Sequence, residues 1–581
     1  MARPLSGSTA RGVPRSGSSA GGGDAAAPAG RPRGSRDRGP QLPATGITVA
    51  VLAFVGVALL VGAAVFAGGS PGTPTTAPSG EALASGRPAP TQDTPGESPR
   101  ASSVPSAEPS PTPAGPTELP LALVAPVTDL RQTVSLASLR KELAAGRVAV
   151  PCGVTALTLS GTPAAVDAAT CVDASKITTA VRATRPRLGL LPAALVTPRV
   201  KVLRVGGADL FGSPSIRAKP YPLGATVKTP PASWVAFDVA DVRTLISTGD
   251  TCPDRGVSHQ TNTLGKGWDW ALGGGTAKYT GIHMDRRFDG PDGNGWPVVD
   301  AVRSGNDGAV KKLISDAEIT LNDFECPMTS SFRQHDTGTV FSIDPKVAPF
   351  LARNGIDAVT LASNHITDQG VGPLRETLAL FKKNGIKTFG AGMNLAAAMK
   401  PAVLDIRGVR FAFVGFNEVP GSTPASATAA GVTWLTEANV RESIAAARKV
   451  ADVVIAVPQW WPEYRANFTS RQKTQVQLFF DAGADQVIGH GTHWSGPSSI
   501  TQDDRGFHVV MASHGNFLFG QDWSRQTQEG VIAEVTFVGS RVAQLRLHPY
   551  IMLDQAQANL TNPTTDGKFI LDQVWSNSIL K

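Results

Sequence analysis

The chain has 581 residues, with 54 Lys and Arg against 47 Asp and Glu, and a formal net charge of +7. Seven Arg and two Asp within residues 1–46 supply +5 of that charge, so the remainder is nearly neutral. This excludes a distributed basic surface for nucleic acid, and no stripe of basic and aromatic residues restores one. The length is sufficient for several domains.

Residues 1–46 carry almost no large apolar side chain. They cannot bury enough surface to offset chain entropy and read as a disordered, basic cytoplasmic tail. Residues 47–69 are uncharged and apolar, a run of 23 that is long enough to cross a bilayer. The arginines before it place the N-terminus in the cytoplasm. The chain therefore reads as a single-pass protein of the cell membrane with extracytoplasmic C-terminal domains. A weak small-residue cleavage site at 63–67 keeps a secretory signal as the alternative. Residues 70–118, rich in Pro, Ser and Thr, form an extended linker.

Globular composition begins near residue 119. A smaller α/β accessory domain is expected over 119–235, with a helix at 136–145 and an edge strand at 199–205. It shows no chemical constellation. The main domain, over 240–550, alternates strands and helices. Strands are expected at 242–247, 317–324, 358–362, 411–415, 453–457, 486–488 and 509–512. Helices are expected at 345–354, 372–384, 437–450 and 471–482, two of them stopped by Gly385 and Gly483. Short apolar strands between helices predict a sheet covered on both faces. The cysteines number four, an even count that outside the cell suggests two disulfides, Cys152 with Cys171 and Cys252 with Cys326. Four buried thiols, or Cys252 as a thiolate ligand, are the alternatives.

In open α/β sheets, ligands gather at the carboxyl ends of strands. Those ends here read Gly249-Asp250, Asn322-Asp323-Phe324-Glu325, Asn364-His365 with Asp368 nearby, Gln459-Trp460-Trp461-Pro462-Glu463, His490-Gly491-Thr492-His493 and His514-Gly515-Asn516. Carboxylate, amide and imidazole on one rim form an oxygen–nitrogen ligand set suited to Mn, Fe or Zn, in one-metal or two-metal form. The bland alternative is a set of capping and turn residues. Arg255 and Arg465 are the cations placed to hold an anion. Trp460, Trp461, Trp494 and Trp523 lie on or beside the same loops, either stacking on a substrate or packing beneath the loops. No phosphate loop, dinucleotide fingerprint or nucleophile elbow is present.

These segments, in this order over roughly 240–540, resemble the bacterial capsule-synthesis CapA family, also called poly-gamma-glutamate biosynthesis proteins. The matching stretches surround Asp250 and Arg255, Asn322 to Pro327, Ala362 to Gly370, Gly483 to His493, and Ser513 to Phe519. The resemblance implies a layered α/β fold like that of calcineurin-type metallophosphoesterases. It implies a divalent metal (Mn, Fe or Zn) held by Asp250, Glu325, Asn364, His365, His490 and His493, with Glu325 as the bridge. It implies His365 as general acid and Asp250 in the catalytic set. Arg255, Trp460, Trp461, Glu463 and Trp494 would contact substrate. The chain departs from the pattern at Gln459, where the family has His, and at Cys252, where metallophosphoesterases have His. Both losses weaken a two-metal centre; His514 is a candidate replacement, or a turn residue.

Three functions follow. The first is a membrane-anchored protein that helps synthesise, export or attach an anionic surface polymer, poly-gamma-glutamate or capsular polysaccharide, alongside other capsule-assembly proteins. The second is a metal-dependent phosphoesterase of the envelope. The third is a glycan- or polymer-binding module without catalysis.

Overall fold

The computed structural model describes residues 117–164, 171–183, 188–290, 292–334 and 336–580. The expected tail at 1–46, span at 47–69 and linker as far as 116 lie outside the described residues. Among the described residues no helix is long and apolar enough to cross a membrane.

The first described strand, Thr117–Pro126, is the centre of a seven-stranded sheet. Its neighbours are Leu188–Pro192, Val200–Val202 and Leu223–Val227, all antiparallel to it. Helices Leu136–Ala144 and Ala174–Ala183 belong to the same segment. The Cys152–Cys171 disulfide, Cα atoms 4.9 Å apart, lies in this segment.

The strands that carry the polar ends follow: β1 (Val242–Cys252), β2 (Ile319–Phe324), β3 (Ala358–Thr360), β4 (Val409–Asn417), β5 (Val453–Gln459), β6 (Gln486–Ile488), β7 (Gly506–Met511), β8 (Asn516–Phe519), β9 (Glu529–Val538) and β10 (Arg541–Leu553). The helices between them are α1 (Val347–Arg353), α2 (Val371–Lys383), α3 (Glu437–Arg448) and α4 (Ser470–Ala482). α4 starts on a reciprocal Thr469–Gln472 capping box and stops at Gly483, φ 108°.

The strands do not form the single sheet expected. β10, β9, β1, β2 and β3 run side by side in a ten-stranded sheet, with β8 also paired to β1. β4, β5, β6 and β7 are parallel neighbours in a separate six-stranded sheet. The two sheets pack face to face. Leu245, Leu321, Phe411, Phe413, Ile455 and Val535 share the core between them. One residue along each strand, the side chains point the other way. Ile246 and Val359 meet Phe350 of α1 and Phe381 of α2. Ala412, Val414 and Phe416 meet Val440 and Ile444 of α3 and Phe479 of α4. The result is four layers, helix, sheet, sheet, helix. A strand buried on both faces reads as one apolar run whether a helix or a second sheet covers it, so the sequence pattern alone does not separate the two cases.

The expected edge strand at 199–205 is also different. Lys201 is 5% exposed, because Val200–Val202 is clamped between Thr117–Pro126 and β10. Val202 N donates to Gln544 Oε1 at 2.6 Å, and Arg546 Nη2 donates to Val202 O at 2.7 Å. Two long hairpins had no clear signal in the sequence: Thr276–Asp285 with Trp296–Gly305, and β9 with β10.

Candidate metal centre

β1 runs through the middle of the larger sheet, and all eleven of its residues are buried. Its register against β2 shifts between Ser247 and Asp250. Asn322 braces that irregularity, its Nδ2 donating to Thr248 Oγ1 at 2.9 Å and Thr251 Oγ1 at 2.8 Å. Gly249 is required here, since a Cβ would stand 2.0 Å from Gly515 O. The loop leading into β8 therefore presses directly on β1, and Asp250 N donates to Gly515 O at 2.9 Å.

The Asp250 carboxylate is fully buried and meets the loop that follows β6. It accepts from Gly491 N at 3.3 Å and His493 N at 3.2 Å. His490 Nδ1 lies 3.5 Å from Asp250 Oδ1, and His493 Nδ1 lies 3.2 Å from Oδ2. Two ligand groups share this carboxylate. One is Asp250, Asp323 and His490; the other is Asp250, Glu325 and His493. In each, the candidate ligand atoms all lie within 4.8 Å of one another. Asp250, which belongs to both groups, is therefore placed to bridge, whereas Glu325, expected as the bridge, belongs to one.

Both oxygens of Asp323, both of Glu325 and both ring nitrogens of His490 are buried without a hydrogen-bond partner. Buried polar groups are ordinarily satisfied. A cluster of unpaired carboxylates and imidazoles around one point fits divalent cations, whose charge would satisfy them together. The protonation pattern agrees. Burial pushes Asp323 up to about 7, with His490 opposing and Asp250 adding to the rise. Burial, then the charges of Asp323, Asp250 and Glu463, push Glu325 well above the usual carboxylate range. Burial also opposes ionisation of Asp250, but His490 and His493 outweigh it and hold this carboxyl low. His493 is raised, because Asp250 outweighs the effect of burial. His514 is pulled down to about 3 by burial and then by His490.

A cavity of about 850 Å³ opens beside this cluster, and His493 lies on its wall. Asn364 and His365 line it too but stand outside both ligand groups. His365 Nδ1 pairs with Asp368 Oδ2 at 2.9 Å, which leaves Nε2 as its second nitrogen. Arg255, Trp461 and Glu463 line the same cavity. The Arg255 guanidinium sits 4.6 Å from the centre of the Phe341 ring and donates to Gly338 O.

Trp460 is not a substrate contact. It is 0% exposed and packs in the core under α3 and α4, against Gly489. Extended backbone sends consecutive side chains to opposite sides, so Trp461, 41% exposed, takes the cavity side. Trp494 lies on the wall of a neighbouring hollow of about 420 Å³, which also holds Arg465. Gln459 bonds within the protein: its Oε1 accepts from Asn417 Nδ2 at 3.1 Å. Cys252 is bonded to Cys326, Cα atoms 5.3 Å apart, and so is not a thiolate ligand. Asp323 was not among the expected ligands. Period-two alternation along β2 was the available signal, since it puts Asp323 and Glu325 on one side.

The chain is thus a layered α/β protein with a buried carboxylate–imidazole centre at converging strand ends. Residues 244–521 match the family described as bacterial capsule synthesis protein PGA_cap. The match covers a little under half of the chain. The PGA biosynthesis protein CapA of Bacillus subtilis is 25% identical over 273 residues, 46% of this chain and 70% of that relative. The capsule biosynthesis protein CapA of Bacillus anthracis is 23% identical over 232 residues; the match spans 38% of this chain and little more than half, 56%, of that relative. Among solved structures, the NAD nucleotidase of Haemophilus influenzae matches over 58% of this chain and 57% of its own, with 12% identity and a TM-score of 0.31.

Proposed function

We propose that this protein acts in the synthesis, export or attachment of an anionic capsule polymer, poly-gamma-glutamate or a capsular polysaccharide, using a divalent-cation centre built around Asp250. The observation that carries the metal part is the set of unpaired buried ligand atoms on Asp323, Glu325 and His490 around that carboxylate. The relatives' names support the polymer. A pair of divalent cations, when bound, supplies Lewis-acid polarisation and activation of water near neutral pH.

The chain's own residues supply the rest. Asp250 is shared by both ligand groups and fixes their spacing. His365, oriented through Nδ1 by Asp368, has Nε2 free to give a proton to a leaving group. Arg255 offers positive charge in the cavity for a carboxylate or phosphate of the polymer. Trp461 and Glu463 form the facing loop. In this reading the domain is extracytoplasmic, tethered by the apolar run at 47–69 and the linker that follows, and works beside other capsule-assembly proteins.

The test is replacement of Asp250 by Asn in capsule-forming cells. Surface polymer should fall strongly at unchanged protein level; normal polymer would refute the catalytic reading. Protease on intact cells should release a fragment beginning within residues 70–118, and a secreted form beginning near residue 68 would contradict the anchor. Two ligand positions held by Gln459 and the Cys252 disulfide favour a second reading, in which the domain holds the polymer without cleaving it. Metal-free but fully functional protein would decide for that reading. Turnover of a simple aryl phosphate would instead favour an envelope phosphoesterase.

A further inference from the structure

Four ionisable side chains among the described residues are buried with every polar side-chain atom lacking a hydrogen-bond partner: Asp323, Glu325, His490 and His514. The first three already belong to the two ligand groups. His514 shares their signature and their place, at the strand ends around Asp250, and is 0% exposed. The Gly489 backbone lies beside the ring without closing a well-formed hydrogen bond, and a buried imidazole so poorly satisfied is costly unless something beyond the chain completes it.

The surroundings narrow what that partner is. The His514 ring stacks on His490, centroids 4.9 Å apart and planes 13° apart. The backbone beneath it is fixed, since His514 O accepts from Ser495 Oγ at 3.1 Å and from Val531 N at 2.9 Å. Only the side-chain torsions are free to move the ring. Gln459, which pairs with His490 across a parallel bridge, is the other polar group at that edge. Its carbonyl oxygen is engaged by Asn417, so it does not serve the same cation.

We propose that His514 is a nitrogen ligand of the cation position formed by Asp250, Asp323 and His490, reached by turning its ring out of the His490 stack. The assignment rests on the metal-binding reading above. Two imidazole nitrogens bound to one ion at about 2.0–2.1 Å lie roughly 3.3 Å apart. An imidazole binds an ion close to its own ring plane, and two stacked planes only 13° apart share no point within bonding reach of both rings, so one ring turns when the ion binds.

The test is calorimetric titration of the metal-stripped full chain with Zn²⁺ alone. His514→Leu keeps an apolar fill in the buried site and should lower affinity for one of two ions at least tenfold, leaving the other within about twofold. Gln459→Leu should change neither. Affinities for both ions within twofold of wild type in His514→Leu would overturn the assignment. If that variant does not fold, the wild-type chain crystallised with Zn²⁺ decides. An imidazole nitrogen of His514 at bonding distance from the ion supports the proposal; a ring still stacked on His490 overturns it. Failure of the wild-type chain to bind Zn²⁺ would overturn the metal-binding reading together with this one, and so is distinct from loss of the His514 role alone.

Discussion

Asp250 holds two ligand groups together, and this gives the sharpest expectations for single residues. Asp250→Asn keeps the size of the side chain but removes the charge that both groups share. It should lower affinity for both ions by at least about 100-fold, read by titration. His490→Ala and His493→Ala should each weaken one ion more than the other. Protons compete for the same site. Asp323 ionises near 7 in the folded, cation-free chain, against 3.8 for the free side chain. Its proton therefore stabilises the fold below about 4, and this contribution is lost as pH rises through about 7. The melting temperature of metal-stripped protein should fall over that interval, and added cation should reverse the fall while releasing protons. A flat profile would contradict the protonation state assigned to Asp323. Asp250, Glu325, His490 and His493 were legible in the sequence because each lies at or just past the carboxyl end of a strand-like segment, where ligands gather. Asp323 was harder to single out, because Asn322 precedes it and Glu325 lies two residues on, and a run of polar residues does not show which of them turns into the cluster. Trp460 was misassigned because loop proximity does not reveal which of two adjacent side chains turns inward.

At the scale of elements, the centre depends on how β1 and β2 are joined. Cys252 and Cys326 lie just beyond Asp250 and Glu325 and link the two strand ends across 74 residues of sequence. A loop of that length gives a chain-entropy contribution of about 4 kcal/mol. The double variant Cys252→Ser, Cys326→Ser should melt well below wild type and bind cation more weakly, because both acidic ligands of β2 then lose their tether to Asp250. Unchanged cation affinity would show that sheet hydrogen bonds alone hold the ends together. Free-thiol labelling of the denatured, unreduced chain should find none of the four cysteines. The strands and helices themselves were mostly readable, since Gly483 and Gly385 mark helix ends and the apolar runs mark strands. Their assignment to two sheets was not. That division is set by which face of each run meets which layer, and a fully buried strand carries no polar face to show it.

At the scale of the whole described chain, one buried network joins the segment that begins at Thr117 to the long hairpin of β9 and β10. Arg546 pairs with Asp209 at 2.8 Å and Glu534 at 3.0 Å, and His548 meets Glu534 at 2.8 Å. Burial opposes ionisation of Glu534, but Arg546 and then His548 outweigh it and bring it to about 2. This pair contributes stability above the unfolded value of about 4.5, and the contribution is lost as pH falls through about 2. Arg546→Leu removes the guanidinium that Asp209 and Glu534 share, leaving Asp209 with Arg204 at 3.3 Å and Glu534 with His548, and should cost about 3–5 kcal/mol, measured by denaturant unfolding. The centre and this network are separate, so Arg546→Leu should leave cation stoichiometry unchanged in whatever fraction stays folded. The measurement that bears most directly on the whole account is the metal content of the purified full chain after dialysis against Mn²⁺, Fe²⁺ or Zn²⁺ and removal of excess. The shared Asp250 carboxylate predicts two equivalents of one of these cations in wild type and none in Asp250→Asn. Wild-type protein that carries none of the three above background would contradict it.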